Sequence, residues 1–350
     1  MSQTQKPAEL DADSLVSDPS LFLAGFDFQK GAALIRRIED GLTPKGCRLT
    51  QDRPGYMVGL DNLLQLKLDE RLASAPPIGF IWMTDYCMSS LYAKALHALG
   101  GFYLYNENVV FSQLAQLKRA MLAEEARVPE ETFRRLLRIA LVLHAKNFGF
   151  GALSLLKEWP LSNLLIPEIL SENPDYRAVF LYGSLEEYLG KCLKDPNRRA
   201  LARGRVTEVF DLRSIPALAH ISLGGLEDAE AAALHWLYLI YEMGPRLAAA
   251  GGRLKTLSSA RFAEAPGAAL AATAEHFARP AAPEAIDAVL AGPVFATHAK
   301  NTGEAFNLDA HAADLAATRA RLEGEIERGL AFAAGVMERT PAPGLEGWGL

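Results

Sequence analysis

The chain has 350 residues, half of them hydrophobic and 22% charged, and 36 Lys and Arg against 42 Asp and Glu leave a formal charge of −6. This composition excludes a disordered chain, a collagen-like repeat and a small disulfide scaffold, and the length holds one large domain or two modest ones. The acidic balance gives no global basic field for nucleic acid.

Cys47, Cys87 and Cys192 lie far apart and form no CxxC pair. That pattern speaks against a structural zinc site or a disulfide framework and fits a reducing compartment. The first residues lack a basic segment leading into an apolar one, and apolar stretches such as residues 231–241 are too short to span a bilayer. A soluble cytoplasmic protein with neither nucleic-acid nor membrane partners is expected.

Residues 1–75 read as a mostly helical N-terminal extension, with helices at 31–41 and 60–72. Residues 78–84 (IGFIWMT) are a short apolar run of the kind a strand buried on both faces carries. Helical spacing follows over 89–99, closed by Gly100 and Gly101. Strand and helix then alternate: strands at 102–105, 152–157, 178–182 and 253–257, and helices at 109–125, 129–144, 164–171, 184–193 and 228–250. Pro129 is expected at the first helical position. Helices at 267–278, 283–290 and 309–336 complete the pattern, and 339–350 read as a flexible tail on which Trp348 is placed to dock.

Such alternation predicts a three-layer α/β/α domain over 76–338, with a parallel sheet of about five strands. Ligands of such sheets bind beyond the carboxyl ends of the strands, which draws attention to the loops near Asp85, Asn106, Glu158 and Gly183.

The text FIWMTDYCMSSLYAKALHAL has the layout of a phosphate-binding strand–loop–helix, without the GxxxxGK[ST] pattern. Tyr86, Cys87 and Met88 would supply backbone N–H groups, and Ser89 and Ser90 would add hydroxyls. Ser89 as a simple helix cap is the plain alternative. This loop resembles that of PAPS-dependent sulfotransferases of the P-loop superfamily, whose P-x-S-G-T-T-like run carries Lys or Arg at its second place. Ser89 and Ser90 match the hydroxyl pair, while Tyr86 replaces the basic residue and Met88 the glycine.

Three further segments resemble the same family. In LLKEWPLSNLLIPEIL, Lys157 stands at the lysine that helps hold the phosphosulfate, and Glu158 and Trp159 stand at its Thr and His base. In NPDYRAVFLYGSLEEYL, Tyr182 stands at the arginine that binds the 3′-phosphate. In LKTLSSARFAEAPG, only 257–259 remain of the Tyr-Glu-Asp-Leu run. The resemblance spans about 78–336 and implies the family's fold and PAPS or PAP as cofactor.

The same resemblance assigns residue roles. Lys157 neutralises the phosphosulfate, and Glu158 is the nearest substitute for the base that takes the acceptor's proton. The resemblance also has Lys300 of the late glycine-bounded loop contact phosphate, while the position of Glu107 after the second strand, apart from any resemblance, suits it to hold a small hydroxyl or amine acceptor. Losing the basic residues at Tyr86 and Tyr182 costs about 3–6 kcal/mol of ligand binding, roughly two to four decades of affinity. Lys191, Lys194, Arg198, Arg199, Arg203 and Arg205 form a basic cluster from which replacements are available; Lys191 is the first choice. Each assignment also has a bland account: the cluster as a solvated face, Glu158 as a surface loop residue, Glu107 as part of an acidic helix start. His144 is expected to end its helix as a favoured cation, and His235 to be a packed core residue. None of the seven histidines forms HxxxH or HExxH, so no metal is expected.

Three functions remain open: a sulfuryl transferase, a catalytically degenerate relative kept as a ligand- or protein-binding module, and an ATP-dependent kinase-like enzyme. The kinase lacks the Walker lysine and a magnesium carboxylate pattern.

Overall fold

The computed structural model describes residues 11–18, 20–37, 55–107, 109–146, 152–299 and 303–350. In chain order the elements are α1 (Ala12–Ser17), β1 (Leu21–Asp27), β2 (Ala32–Arg37), β3 (Gly55–Gly59), α2 (Leu60–Gln65), β4 (Ile78–Met83), α3 (Ser89–Ala98), β5 (Phe102–Asn106), α4 (Val109–Leu122) and α5 (Glu130–His144). Then come β6 (Leu153–Lys157), α6 (Ile166–Glu172), β7 (Arg177–Tyr182), α7 (Leu185–Leu193), α8 (Pro196–Gly204), α9 (Asp228–Ala249) and β8 (Leu254–Ser258). α10 (Ser259–Glu264), α11 (Pro266–His276), α12 (Pro283–Leu290), α13 (Pro293–Ala296), α14 (Leu308–Arg321) and α15 (Glu323–Arg339) follow.

The expected α/β architecture is present: a parallel sheet in the order β5-β6-β4-β7-β8, flanked by helices. β4 is its central strand, and all six of its residues are buried, which is why its sequence shows no polar alternation. The chain divides into two compact units, residues 1–80 with 100–177 and residues 81–99 with 178–350.

In the first unit the N-terminal segment departs from expectation. Where the sequence predicts a helix over 31–41, Ala32–Arg37 is a strand pairing antiparallel with β1 and β3, and 38–41 lie outside the described residues. Ala32, Ala33, Ile35 and Arg36 are all buried, so burial does not alternate here, and the ladders on both sides make the segment a strand. Gly31, at φ +59, makes the left-handed turn that reverses the chain between β1 and β2. The Gln113 amide of α4 bonds the Phe26 N–H and carbonyl of β1, each at 2.8 Å. On α5, Arg135 and Arg138 fix Asp69 (2.9 Å) and Glu172 (2.6 Å). Pro129 caps α5 instead of occupying its first turn.

In the second unit α9 forms the core, opened by a reciprocal cap between Glu227 and Glu230. Gly329 of α15 allows a close approach: a Cβ there would lie 2.8 Å from Leu189 and 3.0 Å from the Ala229 carbonyl. The long helix expected over 309–336 breaks at Leu322 into α14 and α15. The tail is tied down, as Leu350 N–H donates to Thr256 of β8 at 3.0 Å and the Thr256 hydroxyl donates to Leu345 at 2.7 Å. Among the described residues no helix is long and apolar enough to cross a membrane.

Candidate functional site

Two clusters, one in each unit, contain most of the residues singled out from sequence.

In the second unit, residues 84–88 join β4 to α3. Thr84 anchors the start: its N–H donates to Leu181 at 3.0 Å, and its hydroxyl accepts the Gly183 N–H at 3.2 Å. Tyr86 and Met88 both stand at φ +63, in the left-handed region, on either side of Cys87. Met88 thus holds the backbone that the resemblance assigns to glycine. A side chain in that region costs about 1–2 kcal/mol, so the surrounding bonds must hold the turn.

Those bonds are identifiable. Cys87 Sγ donates to the Thr84 carbonyl at 2.9 Å. Lys191 Nζ donates to the Tyr86 carbonyl at 2.9 Å and to Glu187 Oε1 at 2.5 Å, while Glu187 Oε2 accepts from Ser259 at 2.6 Å. The Arg198 guanidinium lies 5.1 Å from the centre of the Tyr86 ring. Ser89 and Ser90 are the first two residues of α3 and are buried. Ser89 does not cap the helix; its hydroxyl donates to Met83 Sδ at 2.6 Å.

Behind the loop, Arg205 pairs with the Asp85 carboxylate, His235 Nε2 lies 3.5 Å from the same guanidinium nitrogen, and the Tyr188 hydroxyl meets His235 Nδ1 at 2.5 Å. Burial, with Arg205 adjacent, holds the His235 pKa well below its ordinary value. Burial likewise pushes the Cys192 thiol up to about 12, so it is not a thiolate nucleophile.

The basic cluster is not a bare solvated face. Lys194 pairs with Asp314 (2.9 Å), Arg203 with Asp228 (2.8 Å), and Arg199 with Glu325 and Asp228. Lys300 lies outside the described residues.

In the first unit, the ends of β5 and β6 bring Glu107, Lys157 and Glu158 together. Register pairs Asn106 with Lys157, and the Glu107 N–H donates to the Lys157 carbonyl at 2.8 Å. Lys157 Nζ bonds Glu107 Oε1 at 2.6 Å and is 0% exposed. Glu158 is no surface residue. It is fully buried, neither carboxylate oxygen has a hydrogen-bond partner among the described residues, and burial, opposed by Lys157, raises its pKa to about 8. A carboxyl so placed is neutral below that value and can release or take a proton near neutrality.

His144 is likewise corrected. It is 1% exposed, its Nδ1 lies 2.7 Å from the Ala140 carbonyl, and burial lowers its pKa to about 4, so it is neutral rather than a helix-end cation.

Sequence reading passed over Asp85 and Glu187 as charge partners. The signal for Glu187 was present in its i,i+4 spacing to Lys191. For Asp85 it was a carboxylate in a loop whose sequence layout suggests an anion cradle, which would demand a cation from elsewhere. Among the described residues no group of three or more His, Cys, Asp or Glu is arranged to hold a metal ion.

No protein-family model matches the sequence, and no curated protein matches it. Among solved structures, the chain is similar to a sulfotransferase domain from the curacin biosynthetic pathway, at 10% identity over 67% of this chain and 85% of that one, with a TM-score of 0.42. It is also similar to a sulfotransferase from Alicyclobacillus acidocaldarius, at 11% identity over 78% of this chain and 99% of that one, with a TM-score of 0.36.

Proposed function

We propose that this chain is a sulfotransferase-like protein that takes a phosphate-bearing sulfuryl donor of the PAPS type on the β4–α3 loop. The observation that carries the reading is the pair of left-handed residues Tyr86 and Met88 directly before α3. Alternating left-handed and ordinary residues turn successive N–H groups toward one concavity, a cradle for anionic oxygens. Holding two non-glycine residues there is strain of the kind found at functional turns.

In this reading the amides of Tyr86, Cys87 and Met88, with the Ser89 and Ser90 hydroxyls, hold phosphate, and Lys191 adds charge. The bound donor would supply the sulfuryl group itself. Transfer of this kind depends on positioning and charge stabilisation, so few residues need chemistry of their own.

One observation favours a second reading. Lys157 and Lys191 each hold a carboxylate, at 2.6 and 2.5 Å, as a catalytically degenerate binding module would allow.

Thermal unfolding of the full chain with millimolar PAP, with ATP and with neither separates these readings. A ligand at about 100 times its dissociation constant stabilises by about 2.7 kcal/mol. A shift with PAP that diminishes in Lys191→Ala supports the transferase. A shift with ATP alone points to a kinase-like enzyme, and silence from both leaves the binding module.

A further inference from the structure

We infer that Arg205 is a ligand-binding cation of the β4–α3 loop, and that Asp85 holds it as an internal anion until a phosphate-bearing ligand takes its place. This rests on the reading of the loop as an anion site and adds the residue on which affinity turns.

Arg205 begins a five-residue π-helical turn, Arg205–Val209, directly after α8. Such turns are rare and recur at functional sites. The arginine side chain is 9% exposed, and its partner Asp85 is the loop residue immediately before the left-handed Tyr86. Nη1 alone makes the contacts to Asp85 and His235. Nη2 and Nε have no protein partner among the described residues, so half of the guanidinium fork is unused.

The charge balance around the loop favours exchange. Arg205, Lys191 and Arg198 face only Asp85 and Glu187 as carboxylates in direct contact, and His235 is neutral. Displacing Asp85 from Arg205 therefore leaves an excess of cationic groups beside the loop. A phosphate monoester brings nearly two charges and three oxygens against the carboxylate's one charge and two oxygens. The planar fork of arginine suits such a group bidentately.

The test is calorimetric titration of PAP, and separately of inorganic pyrophosphate, into the full chain as wild type, Asp85→Asn, Asp85→Asn/Arg205→Met and Arg205→Lys. Circular dichroism melting checks the fold of each variant; the double variant removes both charges and leaves no lone ion. Asp85→Asn is expected to tighten both probes about ten- to hundredfold, the weight of one charge-assisted hydrogen bond. The double variant should lose at least that gain, and Arg205→Lys should bind more weakly than wild type because the fork is gone.

The inference is overturned if Asp85→Asn does not tighten binding, or if the double variant binds as well as Asp85→Asn. The latter would mean that Arg205 merely neutralises Asp85. Wild-type binding of PAP that ignores these substitutions leaves the donor reading standing and removes the role of Arg205. Arg205-dependent binding of pyrophosphate without PAP does the reverse. Binding of neither probe to any variant removes both.

Discussion

Lys157 Nζ and Glu107 Oε1 lie 2.6 Å apart, with the lysine wholly buried and the adjoining backbones bonded through the Glu107 N–H and the Lys157 carbonyl. Breaking a buried ion pair by removing one partner usually costs about 3–5 kcal/mol, because the remaining charge is stranded. Here the neighbouring Glu158 is a reserve. It interacts electrostatically with both Lys157 and Glu107, and once Glu107 is neutral it can ionise to balance the lysine. Glu107→Gln is therefore expected to cost less than that range, and Glu107→Gln/Glu158→Gln to reach it. Urea unfolding of the two single variants and the double measures the coupling; strict additivity would show that Glu158 is no substitute.

The same carboxyl makes stability depend on pH. Glu158 is raised from 4.5 to about 8 in the folded chain, chiefly by burial. Between those values the folded state holds a proton that the unfolded state has lost, so stability falls as pH rises, by at most about 1.4 kcal/mol per unit. His144 acts oppositely between about 4 and 6.5, because its folded form resists protonation. The two slopes nearly cancel up to pH 6.5, and Glu158 acts against no such opposition from there to 8. Urea unfolding from pH 5.5 to 8.5 should show wild type losing stability relative to Glu158→Gln as pH rises. A constant difference between the two would rule out this origin.

What the sequence revealed follows the range of the interactions. β4, β5 and β7 were legible because strands buried on both faces are continuous apolar runs, and α3 because its apolar spacing is local. Residues 32–37 misled because AALIRR suits either period over so short a stretch; pairing with β1 and β3 decided it. The loop at 85–90 was visible as text, but its charge partners were not. Arg205 lies 120 residues from Asp85, and Lys157 lies 50 from Glu107. No local pattern announces such pairs, and burial of Glu158 likewise depends on the packed fold.

Met88, at φ +63 and ψ 14, tests the strain in the loop. Glycine adopts this backbone without the steric cost of about 1–2 kcal/mol, but loses about 0.5–1 kcal/mol more conformational entropy on folding. Met88→Gly is expected to leave stability unchanged or raise it by about 1 kcal/mol, and to tighten PAP. Melting curves with and without PAP check both. A loss of several kcal/mol would mean that the Met88 side chain, not the surrounding hydrogen bonds, holds the turn.

Residues 345–350 cover the outer edge of β8, the last strand in the sheet order. They contribute the Leu350 N–H and the Leu345 carbonyl to Thr256, and Leu345 itself is buried at 5% exposure. Two hydrogen bonds at about 1 kcal/mol each and one leucine at about 2 kcal/mol give roughly 4 kcal/mol lost on deletion. Deletion also bares a strand edge, which invites pairing with a second copy. Leu345→Ala separates these effects, since it removes the leucine burial and leaves the edge covered. The expected outcome is that both variants melt earlier but only the deletion sediments as larger species at rising concentration. Equal self-association of the two would place the protective role in the Leu345 side chain rather than in the covered backbone.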